Sequence, residues 1–158
     1  MKPADKAAIR RASAADLPAI LALVEAAYRP WVAKIGVEPG PLFDDYAGAI
    51  ATDQITLVEG ALGVEAILVL VPQSDAMLLD NVAVLPAAQG RGHGGRLIKL
   101  AENRARDAGF DRLRLYTHAH MTSNIALYRK LGFAQTRRVT ERGLDRIYME
   151  KPLGQRDT

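Results

Sequence analysis

Four glycines stand within six residues, at positions 90, 92, 94 and 95, between an apolar run and a segment with helical periodicity. Glycine lets a backbone come close to a ligand, and the first turn of a helix offers N–H groups with no partner inside the helix. An apolar strand feeding Gln89-Gly90-Arg91-Gly92-His93-Gly94-Gly95 and then a helix is therefore a cradle for a phosphate ester. A second apolar strand follows, ending in Tyr116-Thr117-His118, and after it a segment that carries Tyr128. Their spacing brings both to the same crevice.

Other phosphate-binding patterns fit less well. Gly90, Gly92 and Gly95 satisfy G-x-G-x-x-G, but a dinucleotide fold places its glycines directly after the strand and an acidic residue ~20 positions on. Here Pro86-Ala87-Ala88-Gln89 intervenes and position 115 is Leu. No Gly-Lys-Ser/Thr closes a P-loop. A purely structural turn would not call for so many glycines, because each costs unfolded-chain entropy without adding a packed side chain. The chain has no Cys, which excludes disulfides, thiolate metal sites and a cysteine nucleophile. His118 and His120 have no evident third ligand, so no metal site is expected.

A chain of 158 residues, 49% hydrophobic and 25% charged, reads as one globular domain over residues 1–158. The net charge of +3 is not concentrated in one run, so no nucleic-acid partner is expected. No apolar run approaches the ~18 residues needed to cross a bilayer, and no membrane association is expected. Met1-Lys2-Pro3-Ala4-Asp5-Lys6 leads into no signal-type segment, and the expected location is cytoplasmic.

The elements that must position the crevice follow from periodicity and punctuation. Residues 1–6 and 154–158 are polar and expected to fray. Ile9–Ala12 reads as a first strand. Ser13 or Asp16 caps a helix with Leu17, Ile20, Leu21, Val24 and Tyr28 on one face, which Pro30 is expected to end. Pro39-Gly40-Pro41 forces a loop, and a short helix is expected over about Leu42–Ala51. Ile55–Glu59, Val64–Val71 and Ala76–Leu85 read as an antiparallel meander. The helix after the glycine turn points Leu97, Ile98, Ala101, Ala105 and Ala108 inward and Arg96, Lys99, Glu102, Arg106 and Asp107 outward, with Gly109 as its stop. Leu113–Thr117 then lies parallel to the strand before the turn. Ser123 or Asn124 opens a last helix that Gly132 ends, and strands over Ala134–Thr140 and Asp145–Lys151 meet at Arg142-Gly143. The fold class is α/β, a mixed, mostly antiparallel sheet with helices on both faces.

Gln89, Gly92 and Gly94, with the strand Asn81-Val82-Ala83-Val84 before them and Leu127-Tyr128-Arg129-Lys130-Leu131-Gly132-Phe133 after them, resemble the acetyl-CoA core of the GNAT superfamily of N-acetyltransferases. Tyr28-Arg29-Pro30-Trp31, Gly36, Pro39-Gly40-Pro41 and Asp45-Tyr46 resemble a bacterial subgroup of undefined substrate. The interval between Asn124 and Tyr128 is shorter than in the family's segment. The resemblance implies a single GNAT-like domain that takes acetyl-CoA as co-substrate. It would pass the acetyl group by direct attack, in a ternary complex, to a small-molecule or peptide amine. A non-catalytic acyl-CoA-binding regulatory module is the alternative. A homodimer is common in such proteins.

Residue by residue, the resemblance implies that the amides of Gly90, Arg91, Gly92, His93, Gly94 and Gly95 hold the pyrophosphate beside Gln89, with Arg91 adding charge. His93 is read as a loop filler. Val82, Ala83 and Val84 lie on the strand that pairs with the pantetheine arm, Asn124 belongs to the cofactor side, and Tyr128 protonates the leaving thiolate. A phenol with pKa near 10 suits a thiolate of similar basicity. Position 78, where a carboxylate base is common in the family, is Leu, and Asp80 and His118 are the candidates in its place. Tyr28, Trp31 and Tyr46 flank the loop that would form the acceptor wall.

Overall fold

A computed structural model describes residues 7–36 and 38–154. Of the ends expected to fray, residues 1–6 and 155–158 lie outside the described residues. Strands β1 (Ala8–Arg11), β2 (Ile55–Gly60), β3 (Gly63–Pro72), β4 (Met77–Val84), β5 (Arg112–His118), β6 (Ala134–Glu141) and β7 (Leu144–Pro152) make one sheet, ordered β1-β2-β3-β4-β5-β7-β6. Every neighbouring pair is antiparallel except β4 with β5.

Period-two alternation divides the core between the two faces. In β3, Ala66, Leu68 and Leu70 pack with helices α3 (His93–Asp107) and α4 (Thr122–Lys130). Ile67 and Val69 pack on the other face with helices α1 (Leu17–Ile35) and α2 (Tyr46–Ala51). The expected α/β class, with a mixed and mostly antiparallel sheet between helices, is what the chain adopts.

Three local expectations are corrected. Helix α1 does not end at Pro30 but runs through it to Ile35, and Gly36 then caps it at φ 79°. Pro30 removes one backbone donor, but Ile35 is buried and Trp31 packs on the same core, so tertiary contact outweighs the local break. The expected Leu42–Ala51 helix splits into a 3-10 turn at Gly40–Phe43 and a short α2, which Asp45 caps by accepting from the Gly48 N–H at 2.9 Å. Glu102 is buried, not solvated, because Lys151 reaches it with a 2.8 Å ion pair; Ala108 is exposed.

Two irregularities in β4 shape the centre of the sheet. Its pairing with β5 is confined to Met77–Leu113 and Leu78–Arg114, after which the two strands part. Its register with β3 jumps between Val69–Asn81 and Leu70–Leu79, so Asp80 is the extra residue of a bulge. Met77 and Leu79 pack toward α3, and beyond the bulge Val82 and Val84 do so. Asp80 and Asn81, consecutive in sequence, therefore share the α1 face.

Candidate active site

The bulge and the parting of β4 from β5 open one cavity at the middle of the sheet. It is lined by Asp80 from β4, Tyr116 and His118 from β5, Asn124 and Tyr128 from α4, and Tyr28 from α1. Pro39-Gly40-Pro41 and Arg146 close its far side. Asp80, His118, Asn124, Tyr128 and Tyr28, five residues singled out from the sequence, thus meet in one place.

Tyr128 is buried, its ring edge-on to Phe133 at 5.7 Å between centroids. Burial pushes its pKa up to about 12, so the phenol keeps its proton. Its hydroxyl makes no hydrogen bond among the described residues and is free for a ligand.

Asp80 accepts from the Tyr116 hydroxyl at 3.0 Å. Burial raises its pKa above the ordinary carboxylate value, against the opposing pull of Tyr116 and Arg146. His118 is held below the ordinary histidine value, chiefly by burial and then by His120. Its Nδ1 accepts from the His120 backbone N–H at 3.1 Å, so the neutral ring carries its proton on Nε2. That leaves His118 a donor toward any other group.

Asn81 organises the α1 side. Tyr28 donates to its Oδ1, its Nδ2 donates to the Tyr46 hydroxyl at 3.0 Å, and Tyr46 donates to the Pro41 carbonyl at 2.7 Å. This chain of bonds pins the Pro-Gly-Pro loop against the cavity. Tyr46 lines the adjoining cleft with Asp44, Asp45 and Asp80. Trp31 lies further along α1, packs on the core there, and carries Lys34 over its ring at 4.8 Å.

The glycine turn ends in an open helix start. Gly90 and Gly92 take φ of 84° and 83°, which favours glycine, and Gly92 caps α3 without any side-chain hydrogen bond. The first intrahelical bond runs from the Arg96 N–H to Gly92, leaving the amides of His93, Gly94 and Gly95 without a helical partner. A Cβ at residue 90, 92 or 95 would meet nothing within 4 Å. Bare backbone donors at the positive end of a 15-residue helix fit a phosphate group. Gln89 and Arg91 are exposed beside them, Val82 and Val84 are half-buried, and Ala83 is buried toward α1.

His93 is more than a filler. Its side chain turns beneath the turn and is 4% exposed, with Nε2 at 2.8 Å from Oε1 of Glu65. Glu65, 1% exposed, also accepts from the Leu62 N–H at 2.9 Å and from Arg91 at 3.3 Å. Those donors, the Leu62 amide first, hold its carboxyl below the usual range. The sequence carried one signal for this strut, a lone Glu inside the apolar run Val64–Val71. Replacing Glu65 by Ala should cost about 3 kcal/mol in urea unfolding, because His93 and the Leu62 amide lose a buried acceptor. Glu65→Gln, which keeps an oxygen there, should cost less. Equal, small costs for both would show that the strut carries no weight.

Among the described residues, no group of three or more His, Cys, Asp or Glu side chains could hold a metal ion. None of their helices is long and apolar enough to cross a membrane.

The sequence model of the acetyltransferase (GNAT) family matches residues 20–133. An IAA acetyltransferase of Azospirillum brasilense is 43% identical over 77 residues, 48% of this chain and 50% of that protein. The N-acetyltransferase YjgM of Escherichia coli (strain K12) is 41% identical over 61 residues, 39% of this chain and 36% of that protein. The match thus spans half or less of the length of these curated relatives. The PaiA N-acetyltransferase of Thermoplasma acidophilum, solved in complex with coenzyme A, superposes with a TM-score of 0.75 at 18% identity, covering 93% of this chain and 99% of that one. At that identity the likeness is one of fold.

Proposed function

The chain belongs to the acetyltransferase (GNAT) family, and from that membership we propose that it moves an acetyl group from acetyl-CoA to an amine by direct attack in a ternary complex. The observation that carries the reading is the single cavity that gathers Tyr128, Asp80, His118 and Asn124 where β4 parts from β5. An unpaired strand edge, a buried phenol with a free hydroxyl and a half-buried carboxylate are the parts that acyl transfer to an amine requires.

Acetyl-CoA supplies the thioester. The amides of residues 90–95, with Gln89 and Arg91 beside them, bind the pyrophosphate in this reading. The backbone of Val82, Ala83 and Val84 pairs with the pantetheine arm, and Asn124 lies on the cofactor side. Asp80 takes the proton from the acceptor nitrogen, and Tyr128 gives one to the departing sulfur. His118, with its Nε2 protonated, serves better as a donor at the mouth than as the base. Tyr28 and Tyr46 form the acceptor wall, backed along α1 by Trp31. Aromatic faces beside carboxylates favour a small primary amine with apolar or aromatic character.

Acetyl-CoA at 100 times its dissociation constant should stabilise the fold by about 2.7 kcal/mol, read as a thermal shift, and NADH should not. Release of the CoA thiol with a panel of amines then separates an enzyme from a binding module. A shift without turnover would favour the module, and no shift at millimolar acetyl-CoA would overturn both.

A further inference from the structure

Asp80 lines two cavities. One holds Tyr128, and the other is an outer cleft lined by Asp44, Asp45, Tyr46, Gly48 and Gln54. The bulge accounts for this, because it lodges Asp80 at the junction of the two spaces instead of burying it on one side of the sheet. Asp44, in the loop before α2, lines the outer cleft together with Asp80, and its carboxylate accepts no hydrogen bond among the described residues.

Acetylating an ammonium leaves one proton over. The nitrogen loses two protons as the C–N bond forms; the sulfur takes one from Tyr128 as the C–S bond breaks, and one of the nitrogen's two restores Tyr128. A base that takes the remaining proton inside a closed ternary complex must hand it on before the next turnover. Resting on the acetyltransferase reading, we propose that Asp44 is the outlet: Asp80 passes it the proton taken from the acceptor, and Asp44 releases that proton to water through the outer cleft. Asp44 thus acts through Asp80, as a positioning and relay residue that never touches the acceptor.

The surroundings set the direction of transfer. Tyr116 on β5 donates to Asp80 and favours its anion, while Asp44 has no such donor. Burial first, and then repulsion by Asp80, push Asp44 up to about 6, so the proton rests more readily on Asp44. The other charged or titratable neighbours are Tyr28 on α1, Asp45 at the cap of α2, Tyr46 on α2, His118 on β5, Tyr128 on α4, Arg142 in the β6–β7 turn and Arg146 on β7. Arg146 does not neutralise the pair directly. It gives Nη1 to Glu141 at 3.0 Å and stacks on the Tyr116 ring at 4.4 Å.

The test is Asp44→Asn in protein carrying carboxyl-labelled ¹³C aspartate, with Asp80→Asn to assign the signals. In the wild type the two carboxylates should titrate as a coupled pair. In Asp80→Asn, the Asp44 midpoint should fall by ~1 pH unit, because the like charge that raises it is gone. The acidic limb of the pH–rate profile should move down in Asp44→Asn, because the group of the pair that holds its proton to higher pH is gone. Plateau turnover should drop ~10-fold at unchanged KM for acetyl-CoA, and Asp44→Glu should restore most of it. An Asp44 midpoint that stays in place in Asp80→Asn, with turnover intact in Asp44→Asn, overturns the outlet and leaves the acetyltransferase reading standing. A coupled pair in a chain that acetylates no amine overturns that reading and the outlet with it.

Discussion

Tyr128→Phe lowers turnover by ~10²-fold and leaves acetyl-CoA affinity unchanged, if the phenol protonates the departing thiolate. The substitution is clean for structural reasons. The hydroxyl makes no hydrogen bond among the described residues, so none is broken and no partner is stranded. The ring keeps its edge-on contact with Phe133, and α4 keeps its place against the core. A thermal midpoint within a degree or two of the wild type should confirm that packing is untouched. Burial holds the phenol near 12, so it remains protonated through the neutral range and should add no basic limb there. Single-turnover kinetics, in which chemistry limits the rate, give the decisive reading. A variant with near-normal turnover under those conditions would reduce Tyr128 to a packing residue.

Much of this arrangement was legible in the sequence because it is local. The glycine turn, the apolar strand before it and the helix after it are set by neighbours within a few residues, and they form where expected. Asp80, His118, Asn124 and Tyr128 lie on three elements, and the parallel crossover brings those together in one cavity. What was not legible depends on partners far away in the chain. Alternation alone places Asp80 beside Leu78, but it does not reveal that Asn81 faces the same way. The bulge does that, and its one trace is an Asp-Asn pair that breaks the phase between Met77–Leu79 and Val82–Val84. Pro30 reads as a stop until Trp31 and Ile35 find the core beyond it. His93 reads as filler until Glu65, 28 positions earlier, is seen beneath it. Trp31 reads as part of the acceptor wall, yet it lies outside the residues lining the cavity, which begins one helical turn earlier at Tyr28.

Gly92→Glu should abolish stabilisation by acetyl-CoA while leaving a folded protein. At 100 times the wild-type dissociation constant the ligand contributes about 2.7 kcal/mol, and the variant should lose nearly all of it, a fall in affinity of ~10²-fold or more. Two effects act on the fold, and they oppose each other. Gly92 sits at φ 83°, where an L residue costs about 1–2 kcal/mol. A carboxylate at the start of α3 interacts favourably with the helix end, by ~0.3–1 kcal/mol. A Cβ there meets nothing within 4 Å, so no clash is added. The same charge occupies the space before the amides of His93, Gly94 and Gly95, where it competes for their donors and repels a phosphate. Gly143→Glu supplies the control. It has φ of 75° and equally open space, but it lies in the β6–β7 turn, away from the cradle. The control should suffer the same backbone strain and bind acetyl-CoA normally. If Gly92→Glu also binds normally, the pyrophosphate does not rest on this helix start, whatever else the cavity does. If both variants lose binding in proportion to lost stability, strain and not charge is the cause.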